Sequence, residues 1–319
     1  MSLSHWDRLL LRPALSATTT PPTRQSSIPV FLYGTAWKKD STADLVYKAL
    51  CNGFRGIDTA AQPKHYREEL VGEGLRRAIG EGKVGRGDVF VQTKYTSVTS
   101  QDLEAGMPYD PQSSITEQIH ASIASSLRNL RASDDNENEA ENTYLDALVL
   151  HSPLPTMTET LEAWRALETY VPHKIRNLGI SNCRLPVLKS LCETARVKPS
   201  VVQNRFYPKA DFDGEMRGFC REQGIVYEAF WVLTANPRLV WSAEVGVLAH
   251  QVGVSQQAAL YCLVLALGRT VLLNGTGNEG RMRADLEAPG KVGEWAERFP
   301  EAWERALAGF KRLIGEEES

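Results

Sequence analysis

The sequence predicts a single-domain α/β protein, a (β/α)8 barrel over residues 28–319 behind a flexible arm of residues 1–27. Three observations predict it. Eight short β-branched or apolar runs recur along the chain, bounded by turn-forming residues. Longer stretches of helical period separate them, and this alternation favours parallel strands joined by crossover helices. Ionisable residues close the second, third and fourth runs, at the strand end that faces the site in a parallel barrel. The doubly wound dinucleotide fold is the main rival. It loses because no G-x-G-x-x-G follows the first run, and Gly34-Thr35-Ala36 is not its phosphate turn.

The arm is rich in Ser, Thr, Pro and Arg, with an apolar knot at Leu9, Leu10 and Leu11; Asp7 and Pro21-Pro22 speak against a transit peptide. The strand runs are Val30–Tyr33, Arg55–Asp58, Val89–Lys94, Leu145–His151, Ile175–Ser181, Val201–Asn204, Ile225–Phe230 and Val271–Leu273. Helical patterns lie near 42–52, 67–81, 115–131, 158–170, 184–195, 212–223, 241–267 and 278–286. Gln62-Pro63-Lys64 breaks the chain before the second helix. The proline-bearing insertion 97–114 is placed to cover a pocket, and the acidic 134–141 reads as a solvated loop. Trp295, Phe299, Trp303 and Leu307 suggest a last amphipathic helix against the barrel's outside.

A net charge of −3 with no basic stripe speaks against nucleic acid or an anionic membrane as partner. No apolar run approaches the ~18 residues of a membrane span. Five cysteines stand singly without a C-x-x-C, as reduced thiols in a cytoplasmic protein would. The expected partner is a small molecule, and the expected state a monomer.

The residues closing the second, third and fourth runs are Asp58, Lys94 and His151, and Tyr66 follows Asp58 in the same loop. Taken singly, Asp58 reads more readily as a helix cap, and His151 equally as a satisfied structural histidine. Together they converge, because neighbouring strands lie ~4.8 Å apart and their tops share one small volume. Such a cluster supports proton transfer by tyrosine. An adjacent ammonium and imidazole should lower the phenol's pKa, and Asp58 should hold Lys94 charged.

These residues resemble the aldo-keto reductases, (β/α)8 barrels that reduce aldehydes and ketones with a nicotinamide cofactor, usually NADPH, through an Asp, Tyr, Lys and His tetrad. The resemblance runs over about residues 28–290. Gly53-Phe54-Arg55-Gly56-Ile57-Asp58-Thr59-Ala60 is similar to the family's G-x-R-x-I-D-T-A, and Tyr66-Arg67-Glu68-Glu69-Leu70-Val71-Gly72 to its Tyr-x-Glu pattern. The resemblance implies Asp58, Tyr66, Lys94 and His151 as the tetrad. Gly179-Ile180-Ser181-Asn182 with Gln203 is similar to the set that bonds the nicotinamide carboxamide, and Phe230 aligns with the aromatic that stacks on the ring. By the same resemblance Gly34, Thr35, Ala36, Trp231, Leu233, Thr276, Arg281 and Asp285 complete the NADPH/NADP+ site, with Leu233 beside the pyrophosphate and Arg281 and Asp285 at the adenosine end. Trp37, Tyr95, Tyr207 and Trp231 are candidates to line a pocket for an aromatic or aliphatic carbonyl substrate rather than a highly charged one.

The chain departs from the pattern in three places. The gap from Asp58 to Tyr66 is longer than the common spacing, which makes His65 a competitor; Gly275-Thr276 replaces the Lys-Ser pair that often grips the 2′-phosphate; and the long carboxy-terminal loop is reduced. A metal-dependent hydrolase is disfavoured by the absence of an H-x-H pair. A cofactor-binding regulatory protein would be expected to lose part of the tetrad. A non-redox elimination, isomerisation or cyclisation on the same residues stays open at the level of sequence.

Overall fold

The computed structural model describes residues 7–12, 26–133 and 143–316, so the acidic stretch 134–141 lies outside the described residues. The strands are β1 (Arg8–Leu10), β2 (Ser27–Pro29), β3 (Phe31–Gly34), β4 (Gly56–Asp58), β5 (Phe90–Tyr95), β6 (Ala147–Leu150), β7 (Leu178–Ser181), β8 (Val201–Arg205), β9 (Val226–Phe230) and β10 (Thr270–Asn274). The helices are α1 (Thr42–Cys51), α2 (Glu68–Gly80), α3 (Ile115–Asn129), α4 (Met157–Glu168), α5 (Leu185–Thr194), α6 (Gly214–Gln223), α7 (Pro237–Val240), α8 (Ala243–Val252), α9 (Gln256–Leu265), α10 (Glu279–Arg298) and α11 (Pro300–Leu313). Strands β3 to β10 form a closed barrel in which β10 returns to β3 and every neighbouring pair is parallel. The fold is the (β/α)8 barrel.

Alternation along each strand divides the core in two. Inward-facing Leu32, Phe90, Ala147, Val149, Val201, Val226 and Val271 fill the barrel, while outward-facing residues such as Leu148 and Tyr227 join Val46, Leu75, Ile123, Trp164 and Leu260 of the helices in the larger outer layer. Gly56 and Gly179 belong to the inner face. A Cβ at Gly179 would lie 2.3 Å from Val201 Cγ2, so this strand position has room only for glycine.

The arm is not wholly outside the fold. Strand β1 pairs antiparallel with β2, and Leu11 is fully buried with Ile28 against the inner cluster. The apolar knot has the end of the barrel to cover, and burial of a leucine there outweighs ordering the segment. Residues 1–6 and 13–25 lie outside the described residues.

The helix expected over 241–267 is two, because Gly253 takes a left-handed φ of 76° at the end of α8 and Ser255 caps α9 through Ala258 N. The pattern over 278–286 continues through Pro289 to Arg298. Buried Ala288, Pro289 and Val292 dock this helix, and that packing outweighs the hydrogen bond the proline cannot make. Trp303 and Leu307 therefore belong to a separate α11. Among the described residues no helix is long and apolar enough to cross a membrane.

Candidate active site

Asp58 ends β4 and Lys94 lies on neighbouring β5, both facing inward and both 1% exposed. Lys94 Nζ donates to Asp58 Oδ1 at 2.7 Å, to Oδ2 at 2.6 Å and to the Thr59 carbonyl at 2.8 Å. Burial works to discharge the ammonium, but Asp58 and then Tyr66 outweigh it, and the pKa of Lys94 is raised. The same ammonium lies 5.4 Å from the centre of the Tyr66 ring. Tyr66 in turn meets His151 edge-on, with ring centroids 6.1 Å apart at 70°. The structure thus brings together all four of the residues that the sequence singled out.

The loop before α2 explains how Tyr66 arrives there. Gln62 O accepts the backbone N–H groups of both His65 and Tyr66 at 3.0 Å, making a tight turn out of the Pro63-Lys64 segment. Two residues beyond Tyr66, buried Glu68 accepts from Thr93 Oγ1 of β5 at 2.5 Å, and from Ser126 and Asn129 of α3. That acid ties the start of α2 to a strand and a helix at once. His65, the competitor for that place, stacks on Trp37 at a centroid distance of 3.9 Å.

Electrostatics differ from the sequence expectation at Tyr66. Burial raises its pKa more than Lys94 lowers it, and Asp58 pushes the same way as burial, so the net direction is upward. His151 gives no help, because burial first and then Lys94, His65 and Arg205 push its pKa down to about 3 and leave the ring neutral. Its Nδ1 lies 2.6 Å from Thr96 Oγ1 and its backbone N–H donates to Tyr95 O at 2.9 Å, which fix the ring.

Beneath this group lies a polar layer that sequence reasoning missed. Gln92 and Gln203 each donate to Asp58 Oδ1, at 2.9 and 3.0 Å, and to Glu228 Oε2, both at 2.7 Å. Glu228 is fully buried, and burial with the nearby Asp58 raises its pKa to about 7. The available signal was an acid inside the apolar run Ile225–Phe230. Gln203 was expected to meet a carboxamide beside Ser181 and Asn182. Its side chain follows the inward face of β8, where the amide nitrogen donates to Asp58 and Glu228.

The other expected residues are placed as follows. Ser181 Oγ donates to Gln203 O at 2.7 Å, and Asn182 Nδ2 to His151 O at 2.9 Å. Thr35 Oγ1 donates to Asp58 O at 3.0 Å, fixing the Gly34-Thr35-Ala36 turn against β4. Trp37, Asn182 and Trp231 follow the carboxyl ends of barrel strands with left-handed φ values of 65°, 50° and 62°, an uncommon state for the two tryptophans. Trp37 and Trp231 are 65% and 51% exposed there, Phe230 packs edge-on to Trp231, and Tyr207 is half-buried beyond β8. Tyr95 does not line this space. As the strand neighbour of inward-facing Lys94 it points outward, where its hydroxyl donates to Gln118 of α3 at 3.1 Å. The insertion does border a cavity: Ala105 to Pro108 and Tyr66 line a space of about 280 Å³.

Leu233 packs partly buried against the outer core. Tyr33 OH donates to Thr276 O at 3.1 Å, and Asp285 is buried with an Asn274 hydrogen bond at 2.8 Å. Arg281 is exposed at the first turn of α10, where Asn278 caps its backbone N–H. Lys38 Nζ donates to Gly275 O, so a cation reaches the place where the sequence shows none.

The family model described as the aldo/keto reductase family matches residues 31–236. Glyoxal reductase of Bacillus subtilis is 32% identical over 192 residues, 60% of this chain and 58% of that one. An uncharacterised oxidoreductase of the same bacterium, YtbE, is 33% identical over 58% of this chain and 56% of its own. The matches therefore span little more than half the length of these relatives. The NAD/NADP-dependent indole-3-acetaldehyde reductase of Schizosaccharomyces pombe is 29% identical over 65% of this chain and 66% of its own. In fold, the crystal structure of a Bombyx mori aldo-keto reductase in complex with NADP superposes with a TM-score of 0.67 at 21% identity, covering 85% of this chain and 90% of that one.

Proposed function

Because the chain belongs to the aldo/keto reductase family, we propose that it reduces an aldehyde or ketone to an alcohol with NADPH as reductant. One observation carries the reading above all: a buried Lys94–Asp58 pair lies under the ring of Tyr66, with a neutral His151 across from it. NADPH, when bound, supplies hydride to the carbonyl carbon. Tyr66 gives its phenolic proton to the carbonyl oxygen, and the Lys94 ammonium stabilises the phenolate left behind. Free Tyr66 keeps its proton until then, as its raised pKa requires. In the tautomer in which Thr96 Oγ1 donates to Nδ1, His151 offers Nε2–H to the same oxygen and holds the carbonyl against Tyr66.

The residues present fit the cofactor. Ser181 and Asn182 are the donors and acceptors for a carboxamide, and half-buried Phe230 offers an aromatic face to a ring. Among the described residues neither Arg281 nor Lys38 forms an ion pair, which leaves two cations for phosphate groups. NADPH over NADH follows from that charge, with Lys38 standing in for the lysine absent at Gly275. Relatives named for glyoxal and indole-3-acetaldehyde reduction support the aldehyde class. The test is to mix the protein with NADPH and a panel of aldehydes and ketones and to follow loss of the nicotinamide absorbance. Turnover of several members is expected, whereas tight NADPH binding with no turnover of any would contradict it.

A further inference from the structure

The inward face of β8 runs Val201, Gln203 and Arg205 from the middle of the barrel to its mouth, and Arg205 sits in register with Phe230 on β9. The Arg205 guanidinium carbon lies 4.7 Å from the centre of the Trp231 ring and 5.4 Å from that of Phe230. Two aromatic faces thus hold a planar cation at the opening. Its Nε is cut off from solvent without a hydrogen-bond partner, and among the described residues no carboxylate pairs with it. The acids inside the barrel do not neutralise it: Asp58 pairs with Lys94, and Glu228 accepts from Gln92 and Gln203. An unpaired guanidinium in a half-buried setting is costly, and an anion relieves that cost through charge-assisted, bidentate hydrogen bonds.

We propose that Arg205 binds a carboxylate of the substrate, so that the preferred carbonyl compounds are oxo acids whose body packs on exposed Trp37 and Trp231. This rests on the reductase reading and sharpens its substrate class, adding a single carboxylate to the aromatic or aliphatic body that the sequence leads one to expect. The recognition is a positional match of one cation to one carboxylate, with Tyr66 and His151 left for the carbonyl at the other end.

The probes are 4-carboxybenzaldehyde and its neutral isostere methyl 4-formylbenzoate, assayed with NADPH in the wild type, Arg205→Met and Arg205→Lys. A charge-assisted bidentate contact corresponds to roughly ten- to a hundredfold in affinity. The wild type should prefer the acid, Arg205→Met should lower the acid-to-ester ratio of kcat/KM by that factor through KM, and Arg205→Lys should restore part of it. An unchanged ratio in Arg205→Met overturns the proposal, as does a loss of NADPH affinity as large as the loss for the acid, which would assign Arg205 to the cofactor. Quenching of tryptophan fluorescence by 4-(hydroxymethyl)benzoate gives a readout independent of turnover. Arg205-dependent binding without reduction of any carbonyl would uphold the anion site and sink the reductase reading; reduction of the ester with no preference for the acid and no such binding would do the reverse.

Discussion

At the scale of single residues, the chemistry depends on which charges the barrel forces together. Asp58 and Lys94 satisfy each other, but Glu228 below them shares donors with Asp58 and has one oxygen buried without a partner. Folded Glu228 holds its proton up to about pH 7, whereas an unfolded glutamate releases it near pH 4.3. The sign follows: the folded state binds the extra proton, so this contribution is fully present below about pH 4 and is lost as pH rises through about 7. Glu228→Gln is spared that loss, and its stability relative to wild type should improve by on the order of 1–3 kcal/mol between pH 5 and pH 8 in urea unfolding. Parallel curves for the two proteins would show that Glu228 is ionised at no cost. Asp58, Lys94 and His151 were legible because each ends an apolar run, an odd place for a charge. Tyr95 was misplaced for the opposite reason, since identity along a strand does not reveal which neighbour faces in and which faces out.

Among the elements, α2 begins just after Tyr66, and α10 carries the residues proposed for the adenosine end of the cofactor. The docking of α2 is tight: a Cβ on Gly72 would lie 1.8 Å from the Asn129 carbonyl of α3. Gly72→Ala must move backbone, so we expect a loss of about 1–3 kcal/mol or more in thermal or urea unfolding, with lower turnover because the shift carries Tyr66. Unchanged stability would mean that α2 and α3 are not held as described. Helix α10 starts after the family match ends, and its first turn carries Arg281 with Asn278 as cap. Arg281→Ala should weaken NADPH by one to two powers of ten, a charge-assisted contact of roughly 1.5–3 kcal/mol, and leave NADH nearly unchanged in fluorescence titration. Equal weakening of both would remove Arg281 from the 2′-phosphate. The sequence signalled these helices through motif and period. It did not signal that Lys38 would reach Gly275, because that contact joins residues far apart in the chain.

For the molecule as a whole, the repeating order of strand and helix was readable because eight apolar runs leave few ways to close a sheet. The β1–β2 hairpin was not. Its strands are three residues each, and only the closed end of the barrel gives Leu11 a place to be buried. The barrel's consequence is convergence: β4, β5, the end of β6 and the loop before α2 deliver Asp58, Lys94, His151 and Tyr66 to one mouth. The central claim is that Tyr66 is the proton donor at this mouth, and comparing Tyr66→Phe with wild type in turnover and in NADPH affinity tests it most directly. In Tyr66→Phe, kcat should fall by about 10²–10⁴-fold with NADPH affinity nearly unchanged. Wild-type turnover in Tyr66→Phe, or a His65→Ala protein that is dead while Tyr66→Phe remains active, would contradict it.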